Sequence, residues 1–181
     1  ASVASPSLLF LDSKIRKDIR SIIPIITEAY LINLGITNLS KVLVKRPRPY
    51  LYNNSLSIEE KIKKDNNRSF FSGHTSMSAV SWVLFSNIYK AYNPKSKYSN
   101  YLSYTAYTLP LMTAYYRYDA GKHFLSDVIM GYLVGVYLGN MIPNIHRKDA
   151  KIKFLPTVLY NNRLNLNFLF LEDNKFQVNI Y

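Results

Sequence analysis

Apolar positions recur at helical spacing through most of the chain and at alternate positions near its end. The stretch from Leu8 to Ser21 mixes apolar residues with Asp12, Lys14, Arg16, Lys17, Asp18 and Arg20, which predicts a short amphipathic helix. A second helix is expected from Ile22 to Arg46, with Pro24 tolerated near its start. Pro47 and Pro49 end it and push Arg46 and Arg48 toward extended backbone. Ser72 is a good N-cap for a third helix to Tyr92, in which Val80, Val83, Leu84 and Ile88 keep helical spacing. A fourth is expected from Tyr98 to Arg117, kinked at Pro110, and a fifth from His123 to Met141, before Pro143. The polar, Asn-rich segment between Tyr50 and Arg68 reads as an exposed loop with a helical turn around Ile58 to Lys64.

The tail changes period. Leu164, Leu166, Phe168 and Phe170 alternate with other residues, as do Phe176, Val178 and Ile180 beyond the turn signal Glu172 to Lys175. Period two on both sides of a turn predicts a β-hairpin, with "PTVLYNN" as a possible third strand. The expected architecture is an all-α bundle of about five helices over residues 1–150, followed by a short C-terminal β-hairpin over residues 151–181.

Composition narrows the chemistry. No cysteine occurs, so thiol catalysis, disulfides and zinc–thiolate sites are excluded. Lys and Arg number 23 against 11 acids, a formal charge of +12, which suits an anionic partner such as a phosphate ester, an anionic membrane surface or nucleic acid. Three stretches of about bilayer-spanning length, Ser69–Tyr89, Tyr98–Tyr116 and Val128–His146, carry no Asp, Glu, Lys or Arg. They are rich in Ser, Thr, Asn and Tyr, and the mean hydropathy is only −0.08, so a buried bundle and a membrane-embedded one both fit. The chain opens on Ala1, and "ASVASPS" lacks the features of an intact signal peptide, so the start reads as processed or truncated.

Three clusters carry candidate chemistry. Lys41 precedes Arg48-Pro49 in "KVLVKRPRP", a point charge and a planar fork suited to phosphate oxygens. Lys45 and Arg46 beside them read as ordinary cations at a helix C-terminus. Ser72-Gly73-His74 lies where loop becomes helix, where unpaired amides and the helix dipole favour an anion. Gly73 permits close approach of the backbone, and His74 is placed to pass a proton. In "YYRYDAGKHFLSD", Asp127 follows His123 by one helical turn, so a carboxylate can fix the imidazole tautomer, and Arg117 lies across a tight turn. Each cluster alone has an ordinary structural explanation: a basic helix end, an N-cap, a surface His–Asp pair. His146, past the last helix, reads as a surface histidine.

Taken in order, Lys41 to Pro49, Ser72 to His74 and Arg117 to Asp127 resemble the three signature motifs of the type 2 phosphatidic acid phosphatase superfamily, whose relatives include bacterial acid phosphatases and vanadium haloperoxidases. The similarity spans roughly Leu8 to His146. Two positions depart from the pattern: Phe71 stands where proline usually precedes Ser-Gly-His, and Tyr116 where serine usually precedes the arginine. The resemblance implies a metal-independent phosphatase without a cofactor. It makes His123 the nucleophile, Asp127 its orienting carboxylate and His74 the acid and base. It assigns Lys41, Arg48, Ser72, Gly73 and Arg117 to the phosphate.

The substrate expected from it is a phosphorylated lipid or a small phosphate ester, with membrane association and a membrane or periplasmic (extracytoplasmic) location; nucleic acid is not expected as a partner. Competing readings are a vanadate-dependent haloperoxidase and a basic, non-catalytic protein that binds anionic lipid or nucleic acid.

Overall fold

The computed structural model describes residues 2–53, 57–61, 64–147, 154–159 and 163–168. Among the described residues there are six α-helices: α1 (Ser13–Lys17), α2 (Ile19–Val44), α3 (Ile58–Lys61), α4 (Gly73–Tyr92), α5 (Tyr98–Asp119) and α6 (Leu125–Ile145). The protein is therefore predominantly helical, as its periodicity predicts. The hairpin expected around Glu172 to Lys175 lies outside the described residues. Backbone strands Phe154–Leu159 and Arg163–Phe168 pair antiparallel, with Phe154 opposite Phe168.

Several boundaries differ from expectation; α6, expected to begin at His123, begins at Leu125, so His123 stands just before it. The helix expected over Leu8 to Ser21 is broken: a 3-10 segment, Ser2–Leu11, leads into α1 and then α2. Asp12 causes the break. Its carboxylate accepts from the Lys14 amide at 2.8 Å and caps α1, while its other oxygen accepts from Asn93 at 2.7 Å. At the far end, α6 does not stop before Pro143 but continues to Ile145 with the proline inside it. The turn expected around Ile58 to Lys64 is present as α3.

Helix α4 is the centre of the bundle, packed against α6, α5, α2 and the 3-10 segment. Its contact with α6 rests on three glycines four residues apart. A Cβ on Gly131 would lie 2.5 Å from the Ser72 carbonyl oxygen; one on Gly135 would collide with the Ser76 carbonyl oxygen; one on Gly139 would sit 2.8 Å from the Val83 side chain. Small residues at this spacing let two helix backbones approach closely. The core proper gathers Leu9, Ile15, Ile22, Ile25, Ala29, Val80, Leu84, Ile88, Leu138 and Ile142 at the end of the bundle away from the α4 and α6 starts.

The buried face of α2 changes character along its length. Ile22, Ile25 and Ala29 give way, one turn at a time, to Asn33 and Thr37, and the next position on that face is Lys41. Asn33 accepts from the Ser76 hydroxyl, and the Tyr30 and Ser81 hydroxyls pair at 2.9 Å. Polar groups thus line the α2–α4 seam as it nears the start of α4, and the buried Thr37 hydroxyl is left there without a hydrogen-bond partner among the described residues. The outer faces show the opposite composition: Leu31, Leu39 and Leu43 on α2, and Leu133 and Tyr137 on α6, are all more than half exposed.

Candidate active site

The short segment after α2 organises the site. Lys45 ends the helix in the left-handed region, and Pro47 and Pro49 hold the next residues extended. That segment is laced on one side to the end of the loop before α4: the Arg48 amide donates to the Asn66 carbonyl at 2.9 Å, and the Ser69 amide to the Arg46 carbonyl at 3.0 Å. On the other side the Tyr50 amide donates to Gly121 at 3.1 Å. Gly121 takes φ 61°, which closes the turn between α5 and His123. Arg48 is buried, and its guanidinium points toward that turn, 3.4 Å from the Lys122 carbonyl. Within the Tyr50–Arg68 loop expected to be exposed, Asn66 is buried, as is Ser69 just beyond it.

The start of α4 lies beside the start of α6. Ser72 is fully buried and caps α4: its hydroxyl accepts from the Thr75 amide at 3.4 Å and pairs with the Thr75 hydroxyl at 2.9 Å. Its own amide donates to the Asp127 carbonyl at 3.0 Å. This corrects one expectation, because that amide is already spent and cannot also hold a phosphate. The amides of Gly73 and His74 remain as the helix-start donors without a partner among the described residues. Gly73 faces Thr37 and the Lys41 ammonium, whose Nζ lies 3.6 Å from where a Cβ would be.

The two histidines have unlike surroundings. His123 is buried, with 2 % of its surface exposed. Its Nδ1 lies 2.7 Å from the Ser69 carbonyl oxygen, which can only accept, so Nδ1 carries the proton and Nε2 holds the free lone pair. Burial is the main cause that pushes its pKa down to about 4; Arg48 and Arg117 add to this, while the Ser69 bond and Asp127 oppose it. His74 is exposed, and its pKa is lowered by desolvation and then by Arg117, Lys41 and Arg48. The three predicted cations thus act together on His74, and two of them on His123.

Asp127 is placed differently from the simple dyad expected. It is fully buried, but its Oδ2 stands 3.9 Å from His123 Nδ1, beyond hydrogen-bond range. That oxygen instead accepts from the Ser69 hydroxyl at 2.5 Å and from the Phe124 amide at 2.9 Å, the latter fixing the first turn of α6. The other oxygen pairs with Arg46 Nη1 at 2.7 Å. Arg46 also donates to the Ser126 hydroxyl at 2.7 Å and lays its guanidinium 4.0 Å over the Phe124 ring. Its expected role as a plain helix-end cation is thus corrected. Position alone concealed it, since its partner lies 81 residues away.

Ser69 was likewise outside the sequence motifs and is the residue that binds His123. Tyr116, at the position where serine is usual, is 61 % exposed, and its ring packs on Tyr115. His146 is not a free surface group: its Nε2 meets Glu28 at 2.6 Å and ties the end of α6 to α2.

A family model described as the PAP2 superfamily matches residues 24–151. No curated protein matches the chain, and no solved structure does.

Proposed function

Because the chain belongs to the PAP2 superfamily, whose membership supports phosphatase-type activity, we propose that it hydrolyses a phosphate or pyrophosphate monoester through a phosphohistidine on His123. The observation that carries this reading is the tautomer of His123. Its Nδ1 is committed to Ser69, so Nε2 has a lone pair in a setting governed by Arg48 and Arg117. A depressed pKa keeps that lone pair available at neutral pH.

In the proposed reaction, Nε2 attacks phosphorus in line as the ester P–O bond breaks, and His74 gives its proton to the departing oxygen. Water then attacks the phosphohistidine, His74 takes a proton from it, the P–N bond breaks, and inorganic phosphate leaves. Lys41, Arg48, Arg117 and the amides of Gly73 and His74 hold the three non-bridging oxygens, where charge is redistributed during transfer. Asp127 offsets the positive charge that His123 gains, acting across 3.9 Å and through Ser69. Three cations supply the electrostatic role that a metal often fills, so turnover is expected to survive EDTA.

The segments Ile19–Tyr52 and Leu125–Ile145 are long and apolar enough to cross a membrane, which is weak evidence for membrane association. It is joined by large apolar side chains on the outer faces of α2 and α6, while serines 72, 76, 78 and 81 are buried. This distribution favours a lipid-linked substrate and a membrane or extracytoplasmic setting.

The test is a rapid-mixing experiment with phosphorus-labelled phosphatidic acid, a polyprenyl pyrophosphate and an aryl phosphate, with and without detergent, quenched in alkali. An alkali-stable, acid-labile phosphoenzyme that His123→Ala lacks is the expected result. Hydrolysis by a His123→Ala protein at a near-normal rate would sink the assignment.

A further inference from the structure

We propose that Arg46 is a positioning residue for the nucleophile, acting through Asp127 and Ser69 on His123. The inference rests on the phosphohistidine reading above and adds a residue outside the motifs that suggested it.

The contacts form a chain. Arg46 binds one oxygen of Asp127, at 2.7 Å. The other oxygen holds the Ser69 hydroxyl at 2.5 Å, and the carbonyl of the same Ser69 holds His123 Nδ1 at 2.7 Å. Ser69 thus uses both ends, side chain toward the acid and backbone toward the imidazole. A second branch runs from the same Asp127 oxygen to the Phe124 amide, next to His123 in the chain. Arg46 is itself fixed by Ser126 and by the face of Phe124, so its guanidinium is anchored on the element it steadies.

The charges explain why such a cation is needed. His123 faces Arg48 from the segment after α2, Arg117 from α5 and Asp127 from α6. Asp127 is fully buried, and a buried carboxylate is costly unless paired. Without Arg46, Asp127 would act on His123 with no cation beside it, so the ring would take up its proton at higher pH and lose the attacking lone pair. Arg46 keeps Asp127 paired and the ring neutral. Ser126 lends the arginine its second anchor.

The experiment compares Arg46→Gln, Arg46→Lys and Ser69→Ala with the parent protein, using an aryl phosphate across pH and following thermal unfolding of each. Arg46→Gln is expected to lower kcat about 10- to 100-fold, as loss of an outer-shell partner typically does. Its KM should change little, and the acid limb of kcat/KM should move to higher pH. Arg46→Lys should restore the limb in part, and Ser69→Ala, which keeps the carbonyl, should move it in the same direction but less. If Arg46→Gln does not fold, Arg46→Lys and Ser69→Ala still carry the test. A limb that stays put in all folded variants overturns the proposal, and so does a rise in KM alone, which would make Arg46 a substrate contact. Trapping in alkali separates the two levels. No phosphoenzyme in the parent protein defeats the mechanism itself, whereas a phosphoenzyme with an unmoved limb defeats only the role of Arg46.

Discussion

The starts of α4 and α6 lie side by side, each bears a histidine, and the two are built in opposite ways. His123, just before α6, is buried and bonded to a backbone carbonyl, in a frame that Asp127, Ser69 and Arg46 tie together. His74, in the first turn of α4, is more exposed; partial desolvation lowers its pKa first, and the charges of Arg117, Lys41 and Arg48 add to this. A nucleophile gains from being held in one tautomer and one orientation, since misplacement by about 1 Å can cost about 100-fold. An acid that must become a base within one cycle gains from reach and from contact with water. In the proposed mechanism the same side chain thus takes two roles, set by burial and by the partners around each ring.

The sharpest way to break the contrast is to delete each ring in turn. His123→Ala should lower kcat by at least about 10⁴-fold on every substrate, because the proposed phosphohistidine forms on that ring. His74→Ala should cost about 10²- to 10⁴-fold on alkyl phosphates, where the leaving oxygen needs a proton, and far less on a nitrophenyl phosphate, which leaves unaided. Equal losses on both substrates for His74→Ala would erase the distinction between the two sites.

Much of this contrast was legible in the residues alone. Ser72, Gly73 and His74 announced a helix start, because that signal is local, whereas the spacing of His123 and Asp127 brought the two near each other without the direct bond it suggested. Lys41, Arg48 and Arg117 were legible as cations, and the family pattern grouped them. What the sequence hid is the frame between them. Ser69 acts through its backbone carbonyl, a group every residue has, so nothing in its side chain marks it. Arg46 looked like its neighbour Lys45 until the fold brought Asp127 beside it. The polar file Asn33, Thr37 and Lys41 was visible in principle as a four-residue spacing on one helix face, yet each position is unremarkable until α4 packs beside it and Ser76 donates to Asn33. Asp12 broke a helix that periodicity alone would have continued, because a cap competes locally with an apolar pattern.

A pH profile sharpens the comparison with a smaller effect. In the proposed mechanism His123 attacks only when neutral; its pKa is pushed to about 4, so kcat/KM should fall tenfold per unit below that value. His74 must be protonated to serve as the acid, and its pKa is lowered from 6.5, so the alkaline limb should lie below 6.5. The expected bell has its optimum between the two limbs, on the acid side of 6.5. His74→Ala should remove the alkaline limb and leave the acidic one. A profile flat from pH 4 to 8 would contradict the environments assigned to both rings.

The gentlest test uses two glycines that differ only in what surrounds them. Gly131 sits one turn beyond Asp127, and a Cβ there would lie 2.5 Å from the Ser72 carbonyl oxygen, a backbone atom that cannot swing away. Gly131→Ala should therefore push the two helix starts apart and cost about 1 to 3 kcal/mol in unfolding free energy. Gly35 lies in the middle of α2 with nothing within 4 Å of an added Cβ. Gly35→Ala should add up to about 1 kcal/mol, since alanine restricts the unfolded chain and favours helix. Unfolding measured for both variants under the same conditions gives opposite signs if the α4–α6 contact is as close as the structure has it. A stabilised Gly131→Ala protein with unchanged kcat would mean that the two histidines are not held at a fixed separation by that contact, and the division of labour between them would need another support.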